Sequence, residues 1–495
     1  MGSLGENENG WSYNVVSNGK LIIENLGLLP EFHLDPIETP GICHVPNLTR
    51  ESAETVSKLL QENHTSYHIF LLPEHDKGSH LHNHIVHHDL TLWSLGASPE
   101  QLREHHHRNT LYQQKPYKAA EPGTVKDMTR IYSFKKHLGN EYYYQDYVHF
   151  FENEISTMGY QTVLQKYLVG GDEIADDILP RMWMGYVHSI MHVGLALEFN
   201  QMKILAEGFA QACVHHDYWY TEFLHKAEAD AKRALYPALS LSEAIDEARA
   251  DPVIRGCSSV DYQRQFEGEG KDRKFVMRKE MIKDGVCGNA SVELGSVAAR
   301  YRVDPNDLER ATAELINTAV HTAAASQYPP HECRVDFFLM HGTNASVWHS
   351  AFLREPSLTN AQKARLLEYT GRVILMLYAG MGCPSPKMDW LMSQKPKDQL
   401  DDWTKVFERA CKHEDDEHMS KLVRWMAHGR EISEKWDHLP EFRMKQDMFL
   451  PAANAALDSA TANGGKPMDG ILHFDFVRGA AWPEAWESVP VRSEK

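Results

Sequence analysis

No apolar run in these 495 residues approaches the roughly 18 needed to span a bilayer, so no transmembrane helix is expected. Cysteine is sparse and scattered. The seven residues (Cys43, Cys213, Cys257, Cys287, Cys333, Cys383, Cys411) form no CxxC pair. That excludes a zinc ribbon and points to reduced thiols instead of a disulfide framework. The opening Met1-Gly-Ser-Leu-Gly-Glu6 has neither a basic nor an apolar signal region, and Glu6 stands where myristoylation wants Ser or Thr. Basic charge is also short: 51 Lys and Arg against 69 Asp and Glu leave a net −18. Such a surface is wrong for nucleic acid or anionic membrane.

Nucleotide signatures are missing as well. No GxGxxG follows a strand pattern; Gly380-Met-Gly-Cys-Pro-Ser385 is interrupted by Pro384, and Gly268-Glu-Gly270 runs into charge. There is no Walker loop and no GxSxG elbow. These absences predict a soluble cytoplasmic protein without a Rossmann-bound flavin.

What is abundant is helical periodicity and histidine. Residues 1–50 read as an extended arm broken by Pro30, Pro36, Pro40 and Pro46, with one or two short strands over Leu21 to Leu28. From 51 onward apolar residues recur with helical spacing, over 52–61, 82–95, 147–168, 174–200, 201–228, 241–249, 306–326, 333–353, 359–380, 398–411 and 413–429. Ser98 before Pro99 reads as an N-cap with proline in the first turn. Residues 251–293 are Gly-rich, charged and aperiodic, and read as a flexible insertion. The expected fold is all-α: one large helical domain over 51–495, with a metal site in its core.

The chain has 29 histidines. His84 and His88 fall four apart in a predicted helix, as do His188 and His192 in Trp183-Met-Gly-Tyr-Val-His-Ser-Ile-Met-His192, and residues so spaced share a helix face. His341 lies in the apolar Val335-Asp-Phe-Phe-Leu-Met-His341, and His418 follows Glu414-Asp-Asp-Glu417. Neutral imidazole is the commonest transition-metal ligand. Spacing alone leaves a metal cage and a set of satisfied buried histidines both open. His413 to His418 is one residue too long for HExxH, which excludes that zinc-protease motif. Asp415 and His418 mimic one carboxylate-x-x-His pair of a di-iron bundle. The doublets His88-Asp89 and His216-Asp217 keep a His-Asp metallohydrolase or di-iron ring-cleaving oxygenase as an alternative. His105-His106-His107 reads as a solvated face, His80 and His82 as capping or solvent-facing, and His215 as a residue supporting the site from outside.

His82-Asn-His-Ile-Val-His-His-Asp89, Leu95-Gly-Ala-Ser-Pro-Glu-Gln-Leu102, His188-Ser-Ile-Met-His-Val-Gly194, Asp336-Phe-Phe-Leu-Met-His341, Lys363-Ala-Arg-Leu-Leu-Glu368, His418-Met-Ser-Lys-Leu-Val-Arg424 and Arg478-Gly-Ala-Ala-Trp-Pro-Glu-Ala-Trp486 occur in an order that resembles the questin oxidase-like family. The resemblance runs from about residue 60 to the C-terminus. It implies a fungal oxygenase that opens the central ring of an anthraquinone by a formal Baeyer–Villiger oxidation. It further implies non-haem Fe(II), with dioxygen as co-substrate, held by four histidines and a lysine carboxylated by carbon dioxide. Carried onto this chain, those ligands are His84, His192, His341, His418 and Lys363, with Lys421 the rival lysine. His88, His188 and Asp415 are the candidates for orienting them. Imidazoles and a carbamate oxygen suit iron, and an apolar pocket would lower a lysine enough to capture carbon dioxide. Trp93, Trp183, Tyr186, Trp348 and Tyr378 are the candidate surfaces for a flat aromatic polyketide. Reducing equivalents would come from a hydroquinone substrate, from NADPH or through a separate reductase. A non-catalytic polyketide-binding protein is the remaining alternative.

Overall fold

Helix ends are written in capping residues. Ser98 accepts from Gln101 N while the Gln101 side chain returns to the Ser98 amide, a reciprocal cap with Pro99 in the first turn. Thr359 and Gln362 repeat it. A computed structural model describes residues 4–6, 12–14, 29–71, 81–215, 218–262, 266–267, 274–275, 279–397, 401–415, 417–462 and 476–493. The helices that build the site are α1 (Arg50–Ser66), α2 (Ile85–Ser94), α3 (Pro99–Thr110), α4 (Tyr144–Met158), α5 (Met184–Phe199), α6 (Met202–Val214), α7 (Leu308–Ala325), α8 (Phe337–Ser346), α9 (Asn360–Gly380), α10 (His418–Ser433) and α11 (Phe449–Ala462). Among the described residues strand is confined to two-residue and three-residue antiparallel pairs, and the fold is all-α. The one or two strands expected over Leu21–Leu28 lie outside the described residues. Among the described residues no helix is long and apolar enough to cross a membrane.

Packing centres on α5, which lies antiparallel to α6 and against α8, while α8 also touches α7, α9 and α10. Gly208 sits where a Cβ would meet His192 Cβ at 3.0 Å and the Val193 amide at 3.1 Å, so α5 and α6 approach as only a glycine allows. Trp348 and Trp425 meet edge to face at 4.3 Å, both fully buried, and close the junction of α5 and α10 from below. Arg424 is buried beside Glu198 at 2.5 Å and donates to the Cys43 carbonyl, which ties α10 to α5 and to the N-terminal arm. Asp336 caps α8 by accepting from the Phe338 and Leu339 amides. Its other oxygen accepts from Gly479 and Ala480, drawing the C-terminal segment onto the start of α8.

Within 251–293, Ile254, Met281, Ile282 and Val286 are buried. The remainder lies outside the described residues. All seven cysteines are unpaired thiols, and burial pushes each of them up.

Candidate metal centre

Four separate segments deliver the site. Asn83 accepts from the Ile85 amide, and its side-chain amide donates to Asn63 and to the His68 carbonyl. This turn starts α2 at Ile85 and leaves His84 as its N-cap. The second segment is a left-handed turn at the head of α5, with Gly185 at φ 55°, Tyr186 at 55° and Val187 at 69°. Such angles are unusual for a tyrosine and costly for a β-branched valine. The turn aims His188 inward, and its Nδ1–H donates to the Gly185 carbonyl at 2.6 Å. His341 on α8 donates from Nδ1 to the Phe337 carbonyl, also at 2.6 Å. A carbonyl only accepts, so both rings carry their proton on Nδ1 and present a lone pair at Nε2. The fourth segment enters α10 through Glu417, at φ 112°, and brings in His418 and Lys421.

The rings converge. His84 Nε2 lies 2.8 Å from His188 Nε2. Ring centroids are 4.9 Å apart for His84 and His418, 5.4 Å for His341 and His418, and 5.5 Å for His188 and His341. Adjacent nitrogens on one octahedral ion with bonds of about 2.1 Å would stand about 3 Å apart, close to the His84–His188 separation. His82, His84 and His188 form one group able to hold a metal, and His84, Glu417 and His418 another. His82 stacks on His188 at 3.9 Å and 7°, and its Nε2 meets His215 Nε2 at 3.2 Å. One turn deeper, His87 Nε2 meets His192 Nδ1 at 2.8 Å. Lys421 Nζ is 2.5 Å from Glu417 Oε2, 3.3 Å from His87 Nδ1 and 3.7 Å from Met191 Sδ, all in a fully buried setting.

Burial keeps His87, His188, His192 and His341 neutral. Burial, reinforced by His82 and His84, holds His188 well below the ordinary value, and burial with His418 and Lys421 does the same to His341. His87 is pushed down by burial and by Lys421, and His192 to about 4 by burial. Burial alone would raise Glu417, but Lys421, with His84 and His418, holds it well below the carboxylate range. Neutral imidazoles beside one carboxylate are a donor set that fits a divalent transition metal. His192 Nε2, buried with no hydrogen-bond partner among the described residues, marks the same region as under-satisfied.

The family model described as Questin oxidase-like matches residues 81–426. The chain belongs to the questin oxidase-like family. Relatives of this questin oxidase-like protein include the oxidoreductase AflY of Aspergillus parasiticus, 33% identical over 86% of this chain and 82% of the relative. The Baeyer–Villiger oxidase ptaJ of Pestalotiopsis fici is 30% identical over 92% of this chain and 97% of its own. The questin oxidase of Aspergillus fumigatus is 30% identical over 91% and 97% respectively. The questin oxidase-like chain is an oxidoreductase.

Several sequence expectations meet a different geometry in this questin oxidase-like chain. His84, His341 and His418 lie near one another, the α5 histidine beside them is His188, and His192 stands behind it through His87. Lys363 is half-buried on α9 and donates to the Leu353 carbonyl at 2.9 Å; the lysine at the histidines is its rival, Lys421. His88 does not share the face of His84. It turns toward α3, where its Nδ1 meets Asn109 Nδ2 at 2.8 Å, because the helix begins only at Ile85. Asp415 caps the start of α10 by accepting from Glu417 and Met419, with His88 3.9 Å away. His82 is buried in the cluster instead of facing solvent. His105 and His106 are buried too, His106 bonded to Asp89 at 2.8 Å, and only His107 is exposed. His80, His216 and Asp217 lie outside the described residues. His87 and Glu417 were not anticipated. The signal for His87 was its spacing of three from His84; Glu417 was hidden in an acidic run that reads as a solvated face.

Of the candidate aromatic surfaces, Trp93, Trp183 and Tyr378 are core residues whose polar atoms bond Ser52, Thr370 and the Pro384 carbonyl. Trp348 is also core. Tyr186 does border the histidines, 5.9 Å from His341, and half-buried Phe337 and Phe476 lie 5.1 and 6.1 Å from His418. Arg478 sits 4.4 Å over Phe337.

Proposed function

We propose that this oxidoreductase is a non-haem iron-dependent oxygenase that opens the central ring of an anthraquinone or related aromatic polyketide, in a formal Baeyer–Villiger oxidation within fungal secondary metabolism. The observation that carries the reading is the clustering of His84, His188, His341 and His418, with neighbouring ring centroids 4.9–5.5 Å apart, beside Glu417 and Lys421. Those four imidazoles would hold Fe(II). The anionic oxygen donor would be Lys421 after carboxylation, which requires the amine to give up its charge and its ion pair with Glu417. The metal, when bound, supplies binding and activation of dioxygen.

The chain's own residues do the rest. Backbone carbonyls of Gly185 and Phe337 hold His188 and His341 in the tautomer that offers Nε2. Tyr186, Phe337 and Phe476 provide an edge on which a flat ring can stack, and Arg478 adds a cation next to a substrate carbonyl or phenolate. Full burial of His87, Glu417 and Lys421 keeps bulk water off the reacting carbon. The electrons come from a hydroquinone form of the substrate or from NADPH, through a separate reductase or by prior reduction of the substrate, in the cytoplasm.

Iron per chain by mass spectrometry, and oxygen uptake with a reduced anthraquinone, test the reading together. The expected result is about one iron per chain and uptake lost on chelation. Turnover that persists without oxygen would favour a His-Asp hydrolase; tight polyketide binding with neither metal nor oxygen uptake would leave a carrier. Either outcome sinks the oxygenase.

A further inference from the structure

A belt of rings passes the histidines, and its two ends carry opposite charge. Arg478, from the C-terminal segment, lies 4.4 Å over Phe337. Phe337 meets Phe338 edge to face at 5.3 Å, and Phe338 meets Tyr186 at 4.9 Å. Tyr186 then donates its hydroxyl proton to Glu280 Oε1 at 3.2 Å. Phe337 is 4.7 Å from His341 and 5.1 Å from His418, and Tyr186 is 5.9 Å from His341. Phe338 is buried, whereas Arg478, Phe337, Tyr186 and Glu280 are half-buried, as a rim is and a core is not.

Each end is held by its backbone. The Val477 amide donates to the Val335 carbonyl, the Phe337 amide donates to the Val477 carbonyl, and the Gly479 amide donates to Asp336. Both chain neighbours of Arg478 are thereby tied to the start of α8. At the other end Glu280 caps the helical segment Met281–Cys287 by accepting from the Lys283 amide, while its own amide donates to Asp284. Met281 and Ile282 are buried and pack against Gly380 of α9. The lysines nearest Glu280 in sequence turn to other rings, Lys279 over Tyr262 and Lys283 over Trp219. A phenol has one proton to give. Tyr186 gives it to Glu280, so toward a third group its oxygen is an acceptor. This end therefore takes a neutral hydroxyl and repels an anion, and the Arg478 end does the reverse.

We propose that the belt orients the substrate: a flat aromatic ketone lies along it with an anionic oxygen at Arg478 and a neutral hydroxyl at Tyr186 and Glu280. The tricyclic ketone has nearly the same shape from either end, so stacking alone cannot tell its ends apart, whereas opposite charges at the two ends of the belt can. Orientation decides which carbon–carbon bond at the central carbonyl faces the histidines. The purpose of the device rests on the oxygenase reading, to which it adds the charge pattern of the substrate. Whichever bond is taken, one atom of dioxygen enters it and the other leaves as water, with two electrons from the hydroquinone or NADPH and two protons. The belt acts on the choice of bond alone. Arg478 and Glu280 are its specificity residues, and Glu280 also positions the Tyr186 ring.

The probes are anthraquinone monosulfonate and the disulfonate with one sulfonate on each outer ring, whose charge is fixed at any working pH. Binding to the full iron-loaded chain without oxygen is read by tryptophan fluorescence and calorimetry. Wild type is expected to hold the monosulfonate about tenfold or more tighter than the disulfonate. Arg478→Gln should weaken the monosulfonate about tenfold or more, and Arg478→Lys should recover part of the loss. Glu280→Gln keeps an acceptor for Tyr186 and removes the charge; it should admit the disulfonate while melting temperature and iron content stay at the wild-type level. In oxygen, with the hydroquinone of the monosulfonate, wild type should give one ring-opened isomer and the doubly neutral Arg478→Gln, Glu280→Gln protein a mixture. Equal binding of the two sulfonates by wild type and both single variants overturns the belt, whatever the oxygen uptake. Charge-selective binding with no oxygen uptake sinks the oxygenase reading by itself and leaves the oriented site standing.

Discussion

At the scale of single residues, His188 and His192 differ by one helical turn and have different expected consequences. His188→Ala removes an Nε2 that faces His84, so iron content should fall to near zero with the helical circular dichroism intact. His192→Ala removes a ring that reaches the centre through His87, and a roughly tenfold to hundredfold weaker iron affinity is the expected size. Equal loss in the two variants would show that both nitrogens coordinate. Lys421→Met should abolish iron retention and Lys363→Met should spare it, since the latter amine only meets the Leu353 carbonyl. Among the rim residues, Phe337→Ala should raise KM for a flat aromatic several-fold with little change in iron content, read from steady-state oxygen uptake.

At the scale of elements, the determining feature is where a helix starts. Helical periodicity made α2, α5, α8 and α10 legible, and the family resemblance, not residue type or spacing, grouped His84, His341 and His418. Spacing could not show that Asn83 begins α2 at Ile85, which turns His88 away and His87 inward. Nor does any pattern announce three consecutive left-handed residues at Gly185, Tyr186 and Val187, after which His188 lies beside His84 and His192 behind His87. Glu417 stayed hidden because acidic runs usually face water; here its left-handed backbone folds it under the histidines. The turn itself is testable. A Cβ on Gly185 would lie 2.3 Å from the His215 ring and 2.6 Å from that of His82, on a backbone with positive φ. Gly185→Ala should therefore destabilise the protein by about 1–3 kcal/mol, seen in chemical denaturation, and loosen the His82–His188 stack.

At the scale of the whole molecule, one buried ionic triad links stability to pH. His64 bridges Glu152 on α4 and Glu207 on α6. Burial pushes its pKa down, but hydrogen bonds and charge from the two carboxylates outweigh burial and lift it from 6.5 to about 9. A raised folded-state value means that the stabilisation is complete below pH 6.5 and is lost as pH climbs through 9. Melting temperature should decline across that window, and His64→Gln should flatten the decline; an unchanged slope would assign it elsewhere. Above about pH 8.5 the seven thiols steepen the decline, because they ionise in the unfolded chain while burial keeps them protonated in the folded one, so the contribution of His64 is read below that pH.

The Met191 thioether sits 3.7 Å from Lys421 Nζ at the floor of the centre. Sulfur there is soft, unprotonated and easily oxidised, whereas the sheltered thiols are not in nucleophilic form. An enzyme that misfires with oxygen should thus scar itself first at this methionine. The expected trace is a sulfoxide on the peptide bearing Met191, accumulating with abortive turnovers and setting the working lifetime of the catalyst.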